Sequence, residues 1–340
     1  MELILHNYTL KLRNPFNIAR DSYDTRENVI VELRDAGFSG FGETITNTYY
    51  KVSVESIKEK IEALRSKIES YVFDTPENFW NFLANDLAEH PFVQCAIDNA
   101  AHDLYGRKKG LPSYKVWGLD IANVPISNYT IGIDSIEKMI SKMHDFPWVL
   151  YKIKLGTAND LAIIEALRKE TTVPFRVDAN CGWSAAETIY NSKYLKKLGV
   201  EFIEQPLKAD NWDGMKEVFE KSHLPIIADE SCISEHDVVK CKGLFHGINI
   251  KLVKCGGLTP ARRMISEARA LNMKVMVGCM TESSIGMSAI GHLLPLLDYV
   301  DMDGALLLQN DPAEGVMLRD GKVFFPEENG LGGKLKKHQK

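Results

Sequence analysis

From about residue 124 onward the chain alternates short apolar runs with amphipathic stretches, and charged residues recur at the ends of the runs. The runs are VPISNYTIG, VLYKIKLG, PFRVDAN, VEFIEQP, PIIADES, GINIKLVKCG, KVMVGCM and YVDMDGALL; between them lie stretches such as IEKMISKMHD, LAIIEALRKE, AAETIYNSKYLKKL and PARRMISEARAL. Such alternation predicts parallel strands covered by helices, and eight of these runs close most simply into a (β/α) barrel with a filled interior. The competing topology is an open doubly wound sheet, but no glycine-rich phosphate fingerprint follows any run.

In a parallel barrel, reactive groups gather where the strands end and the loops leave room. Asp178 closes PFRVDAN, Glu204 closes VEFIEQP and Asp229 closes PIIADES, with Lys152 and Lys154 before them and Lys251 after. Lysines and carboxylates are rarely buried without a partner, so charges in apolar runs need an explanation. Three carboxylates between two sets of lysines read as a divalent-metal site flanked by proton carriers, and an oxygen-only donor set suits magnesium better than zinc. Lys152 and Lys154 share one side of their strand. A neighbouring cation and partial desolvation lower a lysine from its usual pKa of about 10.4, which makes one of the two a base. Lys251 comes four runs after Lys154, so the two can approach opposite faces of one bound carbon, a racemase or epimerase geometry. Lys254 reads as structural. The plainer alternative makes Lys152 and Lys154 solvent-facing residues of an amphipathic strand, and it leaves the carboxylates unexplained.

The first 115 residues have a different rhythm. LILHNYTLKL and NVIVELRD read as antiparallel strands and GFSGFGE as a turn into a third. Three helices follow, one opening at Thr75 and Pro76 and another ending at Gly110. A chain of 340 residues with 45% hydrophobic content can bury one large core or one large and one small. Its net charge of -5 leaves no footprint for nucleic acid or an anionic membrane, so a small neutral or zwitterionic ligand fits better. The opening MELILHNYTL lacks the pattern of a secretory signal and no apolar run is long enough to span a bilayer, so a cytoplasmic protein is expected. Six scattered cysteines without a CxxC pair read as reduced fillers of packed positions.

YKIKLG, RVDAN, EQP, ADES and NIKLVKCGG, in this order, resemble the signature of the enolase superfamily in its muconate-lactonizing-type subgroup. The resemblance covers nearly the whole chain. It implies an α/β protein with a modified (β/α)7β TIM-type barrel over 120–309 and an N-terminal α+β capping domain over 1–115, completed by 310–340. It also implies Asp178, Glu204 and Asp229 as ligands of one Mg2+ per active site, and Lys154 and Lys251 as the acid–base pair. A lysine or histidine base working with magnesium is a known pattern of the superfamily.

Asp301 and Asp303 in YVDMDGALL lie two apart at the barrel mouth, and like charges that close need a cation between them. A DxD on the eighth strand resembles the dipeptide epimerases, where the pair holds the substrate ammonium and the metal its carboxylate. Thr130, Lys152 and Met280 then line the dipeptide, Asn180 and Glu230 support the site with Glu230 facing away from the metal, and Glu282 caps the following helix. The segment NPFNIARDSYDTREN resembles a mobile loop that closes over the substrate, and GETITNTYYK a second. Arg20 is the best match for an arginine meeting a glutamate side chain, with Arg26 second. The implied reaction is inversion of the second residue of Ala-Xaa dipeptides, Ala-Glu foremost. A lyase of the same superfamily, muconate cycloisomerase-like or o-succinylbenzoate synthase-like, would share the metal and lysines but not need Asp301 and Asp303. A noncatalytic binding barrel would need none of the set. Oligomeric state is open, including a homo-oligomer.

Overall fold

The computed structural model describes residues 1–19 and 21–337. Its first layer is an antiparallel sheet in the order β1 (Glu2–Ile18), β2 (Asp21–Asp35) and β3 (Phe38–Ile45). Three helices follow: α1 (Val54–Glu69), α2 (Pro76–Leu87) and α3 (Pro91–Lys109). Thr75 caps α2 by accepting from the Asn78 amide, with Pro76 in the first turn where its missing N–H costs nothing. Gly110 ends α3 in the left-handed region at φ 66°. Helix α3 lies directly on β3, and a Cβ at Gly42 would come within 2.1 Å of the Ala96 carbonyl. Only glycine permits so close an approach.

After the short turn α4 (Ser113–Val116) the barrel begins. Among the described residues, eight parallel strands pair in chain order: β4 (Tyr129–Ile131), β5 (Tyr151–Lys154), β6 (Phe175–Asp178), β7 (Val200–Glu204), β8 (Ile226–Ala228), β9 (Gly247–Ile250), β10 (Lys274–Gly278) and β11 (Tyr299–Asp301). A parallel bridge between Ser127 and Val300 joins the last strand to the segment leading into the first. The outer helices are α5 (Ile136–Asp145), α6 (Asp160–Glu170), α7 (Ala185–Lys197), α8 (Trp212–Lys221) and α9 (Glu235–Cys241), then α11 (Leu258–Ala270) and α12 (Ser284–Gly291). The single turn α10 (Leu252–Cys255) follows β9, and among the described residues no covering helix follows β11, which gives the (β/α)7β form. The barrel strands are buried almost throughout, as parallel strands with two covered faces must be. No helix among the described residues is long and apolar enough to cross a membrane.

Past β11 the chain returns to the first layer. Gln309 donates its amide to the Lys11 carbonyl at 2.7 Å, and Leu331 donates to Asp103 Oδ1 at 2.6 Å. The first two strands also reach the barrel. The segment expected to be a loop is strand nearly to its tip, since β1 runs to Ile18 and β2 starts at Asp21, with a register break between Lys11 and Phe16. Backbone pairing continues because the tip has partners on the barrel: the Ile133 amide donates to the Asn17 carbonyl at 2.8 Å, and the Tyr23 hydroxyl meets Thr281 Oγ1 at 2.9 Å.

Candidate active site

Strand register places the charges. Asp178 and Glu204 are opposite one another at the ends of β6 and β7, Lys154 is opposite Asp178 on β5, and Asp229 follows β8. One oxygen from each of Asp178, Glu204 and Asp229 lies within 4.8 Å of the others, and all three residues are buried. Their two oxygens are held differently. Asp178 Oδ1 accepts from the Asn180 amide at 2.9 Å, while Oδ2 faces Lys154 Nζ at 2.6 Å and Lys152 Nζ at 3.3 Å. Glu204 Oε1 accepts from Asn249 Nδ2 at 2.8 Å, while Oε2 faces Lys152 Nζ at 2.7 Å. Asp229 Oδ1 accepts from Lys254 Nζ at 2.5 Å, while Oδ2 accepts from Lys251 Nζ at 2.6 Å.

These carboxylates suit a divalent cation. Burial first, and then the Asp178 charge, push the Glu204 carboxyl up to about 7 against the pull of Lys152. Neighbouring lysines overcome burial at Asp229, holding it well below the usual carboxylate range. A site that strains one of three clustered carboxyls toward protonation is short of positive charge, and Mg2+ supplies it through hard oxygen ligands. The donor set therefore fits magnesium.

The lysines divide by environment. Lys152 is 1% exposed and touches Asp178, Glu204 and Asp301. Burial alone would lower its pKa, but the carboxylates hold its ammonium well above the usual value. Lys154 and Lys251, each 7% exposed, reach a cavity of about 490 Å³ from strand positions four apart in the barrel. Of the two lysines on β5, Lys154 has the freer ammonium. Lys254, expected to be structural, instead grips Asp229, because the chain leaves β9 in a helical turn that carries residue 254 back toward the site.

Asp301 ends β11, whereas Asp303 lies beyond it as the N-cap of the helical turn Gly304–Leu307, so the pair does not share a strand face as expected. Both nevertheless line the cavity. Asp301 accepts from Asn128 Nδ2 at 2.7 Å and from Lys152 Nζ at 2.8 Å. Asp303 Oδ2 accepts from the Thr130 amide at 2.5 Å. Burial and the adjacent Asp301 charge push the Asp303 carboxyl up to about 7. A substrate cation in the cavity would relieve that.

Thr130, Met280, Asn180 and Glu230 also line the cavity. Glu230 does so against the alternation argument, because β8 stops at Ala228 and strand periodicity no longer governs residue 230. Glu282 does not cap α12: its Oε1 accepts from the Met280 amide at 2.9 Å, two residues earlier. The N-terminus of that helix is bound instead by Glu43 from β3, which accepts from the amides of Ser283 and Gly286. Arg20 lies outside the described residues. Arg26 lines the cavity, but its Nη2 is paired to Asp21 Oδ2 at 2.6 Å and its guanidinium lies 3.5 Å from the Tyr23 ring centre. Sequence reasoning missed Asn128, Asn249, Asp21 and Glu43. The first two carried a usable signal, since each lies two residues before a named site residue and therefore on the same strand side.

Residues 1–118 match the family model for the mandelate racemase / muconate lactonizing enzyme N-terminal domain, and residues 137–339 match the enolase C-terminal domain-like model. The L-Ala-D/L-amino acid epimerase of Flavobacterium johnsoniae is 56% identical, with 98% of this chain and 99% of that protein covered. The L-Ala-D/L-Glu epimerase of Bacteroides thetaiotaomicron is 37% identical over 98% of this chain and 87% of its own length. Among solved structures, the dipeptide epimerase of Cytophaga hutchinsonii, in complex with Mg and D-Ala-L-Val, superposes with a TM-score of 0.92 at 26% identity, covering 99% of this chain and 96% of that one.

Proposed function

The chain belongs to the enolase superfamily, in its mandelate racemase / muconate lactonizing enzyme branch, and on that premise we propose that it is a magnesium-dependent dipeptide epimerase. It is an isomerase that inverts the α-carbon of the second residue of Ala-Xaa dipeptides. One observation carries the reading: Lys154 and Lys251 reach a single cavity from strands on opposite sides of the barrel, with the three-carboxylate cluster and the Asp301/Asp303 pair opening onto the same region.

Asp178, Glu204 and Asp229 would hold the Mg2+. When bound, the ion supplies a Lewis acid that stabilises negative charge on the substrate carboxylate as the neighbouring carbon loses its proton. Asp301 and Asp303 take the substrate ammonium; were the carboxylate end held at the metal site, the distance between the two would set the length of peptide that fits. Lys154 removes the α-proton from one side and Lys251 returns a proton from the other; in the reverse direction they exchange roles. Lys152 is not a base here, because its ammonium is committed to three carboxylates; it sets the charge of the cluster. Thr130 orients Asp303 through its backbone amide, and Met280 lines the peptide. The chain divides into a cap over 1–115, completed by 310–340, and a catalytic barrel over 120–309.

Ala-Glu, a fragment of murein peptide, is the first substrate to test, in keeping with a cytoplasmic enzyme of peptide recycling. L-Ala-L-Glu incubated with the enzyme and Mg2+ in deuterium oxide should yield L-Ala-D-Glu with one deuterium at the inverted carbon. Neither exchange nor inversion across a set of Ala-Xaa dipeptides would reject the epimerase reading.

A further inference from the structure

The three carboxylates share a pattern in which one oxygen of each is held by a fixed donor and the other faces the lysines. At Asp178 the fixed donor is the Asn180 amide, at a residue whose φ is positive at 45°. At Glu204 it is Asn249 Nδ2, and at Asp229 it is Lys254 Nζ. Three chemically different groups thus do the same thing at three strand ends.

We propose that Asn249 and Lys254 are positioning residues of the metal site, each holding the outer oxygen of one carboxylate so that the other oxygen alone is presented to the ion. The proposal rests on the magnesium reading above. Asn249 is fully buried in the barrel, and its Oδ1 finds no hydrogen-bond partner, packed against Gly278 so tightly that a Cβ there would lie 2.7 Å away. An amide with half its capacity idle is a poor choice for packing, and a leucine would fill such a position at less cost. The bond that Asn249 does make, to Glu204, accounts for the residue. Rotating the amide would turn Oδ1 onto a carboxylate, so only one orientation serves. Lys254 is 4% exposed and saturated: it donates to the Asp229 carbonyl at 2.6 Å and to the Cys232 carbonyl at 3.4 Å as well as to Oδ1. Those carbonyls pin the ammonium to the β8 end, so it holds Asp229 from one side while Lys251 faces it from the other.

One-sided carboxylates matter most for a small ion. Mg2+ demands near-ideal octahedral geometry, whereas Ca2+ accepts six to eight oxygens and bidentate carboxylates. Freeing the outer oxygens should weaken Mg2+ more than Ca2+, which a general loss of structure would not do.

The test is isothermal titration of Mg2+ and of Ca2+ into the metal-stripped full chain and into Asn249→Leu, Lys254→Met and the milder Asn249→Ser. The expected result is a ten- to hundredfold rise in Mg2+ Kd, the usual scale for losing a group behind a metal ligand, with a smaller rise for Ca2+. Asn249→Ser carries the comparison if either larger change fails to fold. Unchanged Mg2+ affinity, or equal loss for both ions, overturns the proposal. Failure of the unsubstituted chain to bind Mg2+ would instead sink the metal reading on which it stands.

Discussion

Lys152 donates to Asp301 at 2.8 Å, tying the second barrel strand to the last and linking the metal-site carboxylates to the acidic pair at the mouth. The lysine beside Lys154 on β5 is thereby an anchor, and the proposed acid–base roles are assigned to Lys154 and Lys251.

Lys154→Met and Lys251→Met should each lower kcat for inversion by about 10³-fold, within the range for losing a general acid or base. Each variant should still bind dipeptide, and equilibrium dialysis can check that separately from the rate. Undiminished inversion by either variant rejects the two-base assignment.

Asp303→Asn should raise KM for Ala-Xaa ten- to hundredfold, since a hydrogen bond to a charged group contributes about 1.5–3 kcal/mol. Asp301→Asn should lower kcat as well, because Asp301 also accepts from Lys152. An N-acetylated dipeptide, which has no ammonium, should be a poor substrate for the unsubstituted enzyme; equal turnover of both would remove the clamp from the mechanism.

Chelation should abolish turnover, and added Mg2+ should restore it. Binding to the folded chain alone also stabilises it, by about 2.7 kcal/mol at a hundred times Kd. Calorimetric scans with and without Mg2+ would show the shift, and a Tm indifferent to Mg2+ would contradict the assignment of Asp178, Glu204 and Asp229.

His292 should make folding sensitive to acid. Its Nδ1 accepts from the Tyr114 amide at 3.0 Å and its Nε2 bonds the Leu331 carbonyl at 3.2 Å, an arrangement that needs the neutral ring. Burial lowers its pKa from 6.5 to about 3. The unfolded chain therefore binds the extra proton between those values, so the contribution is complete above about 6.5 and is lost as pH falls toward 3. At pH 5.5 the loss is about 1.4 kcal/mol. Urea unfolding at pH 7.5 and 5.5 should show the advantage over His292→Asn shrinking by that amount; a constant advantage would mean that the ring does not titrate as described.

Glu43→Ala should cost about 3 kcal/mol in urea unfolding, because buried donors at the start of α12 lose their acceptor. Glu43 accepts from Ser283 Oγ at 2.6 Å and Asn28 Nδ2 at 2.5 Å besides the helix amides, so it joins the first sheet to the barrel. A cost below about 0.5 kcal/mol, the usual range for exposed positions, would show that the joint is not structural.

The amino-acid sequence by itself determined the barrel, the strand ends and the identity of the charged residues at them. Strand–helix periodicity is local, and a lysine or carboxylate inside an apolar run is conspicuous wherever the run lies, as Lys154, Asp178 and Glu204 were. Alternation failed at Glu230, Lys254 and Asp303, which lie past a strand end where the backbone turns and period two no longer applies. Only the tertiary structure decided that Lys152 is shared among three carboxylates while Lys154 pairs with one, that Glu43 rather than Glu282 binds the α12 N-terminus, and that Asn249 and Lys254 donate to Glu204 and Asp229. Those relationships join residues far apart along the chain, and hydrogen bonds and charge pairing depend on distance in space, which local periodicity does not encode.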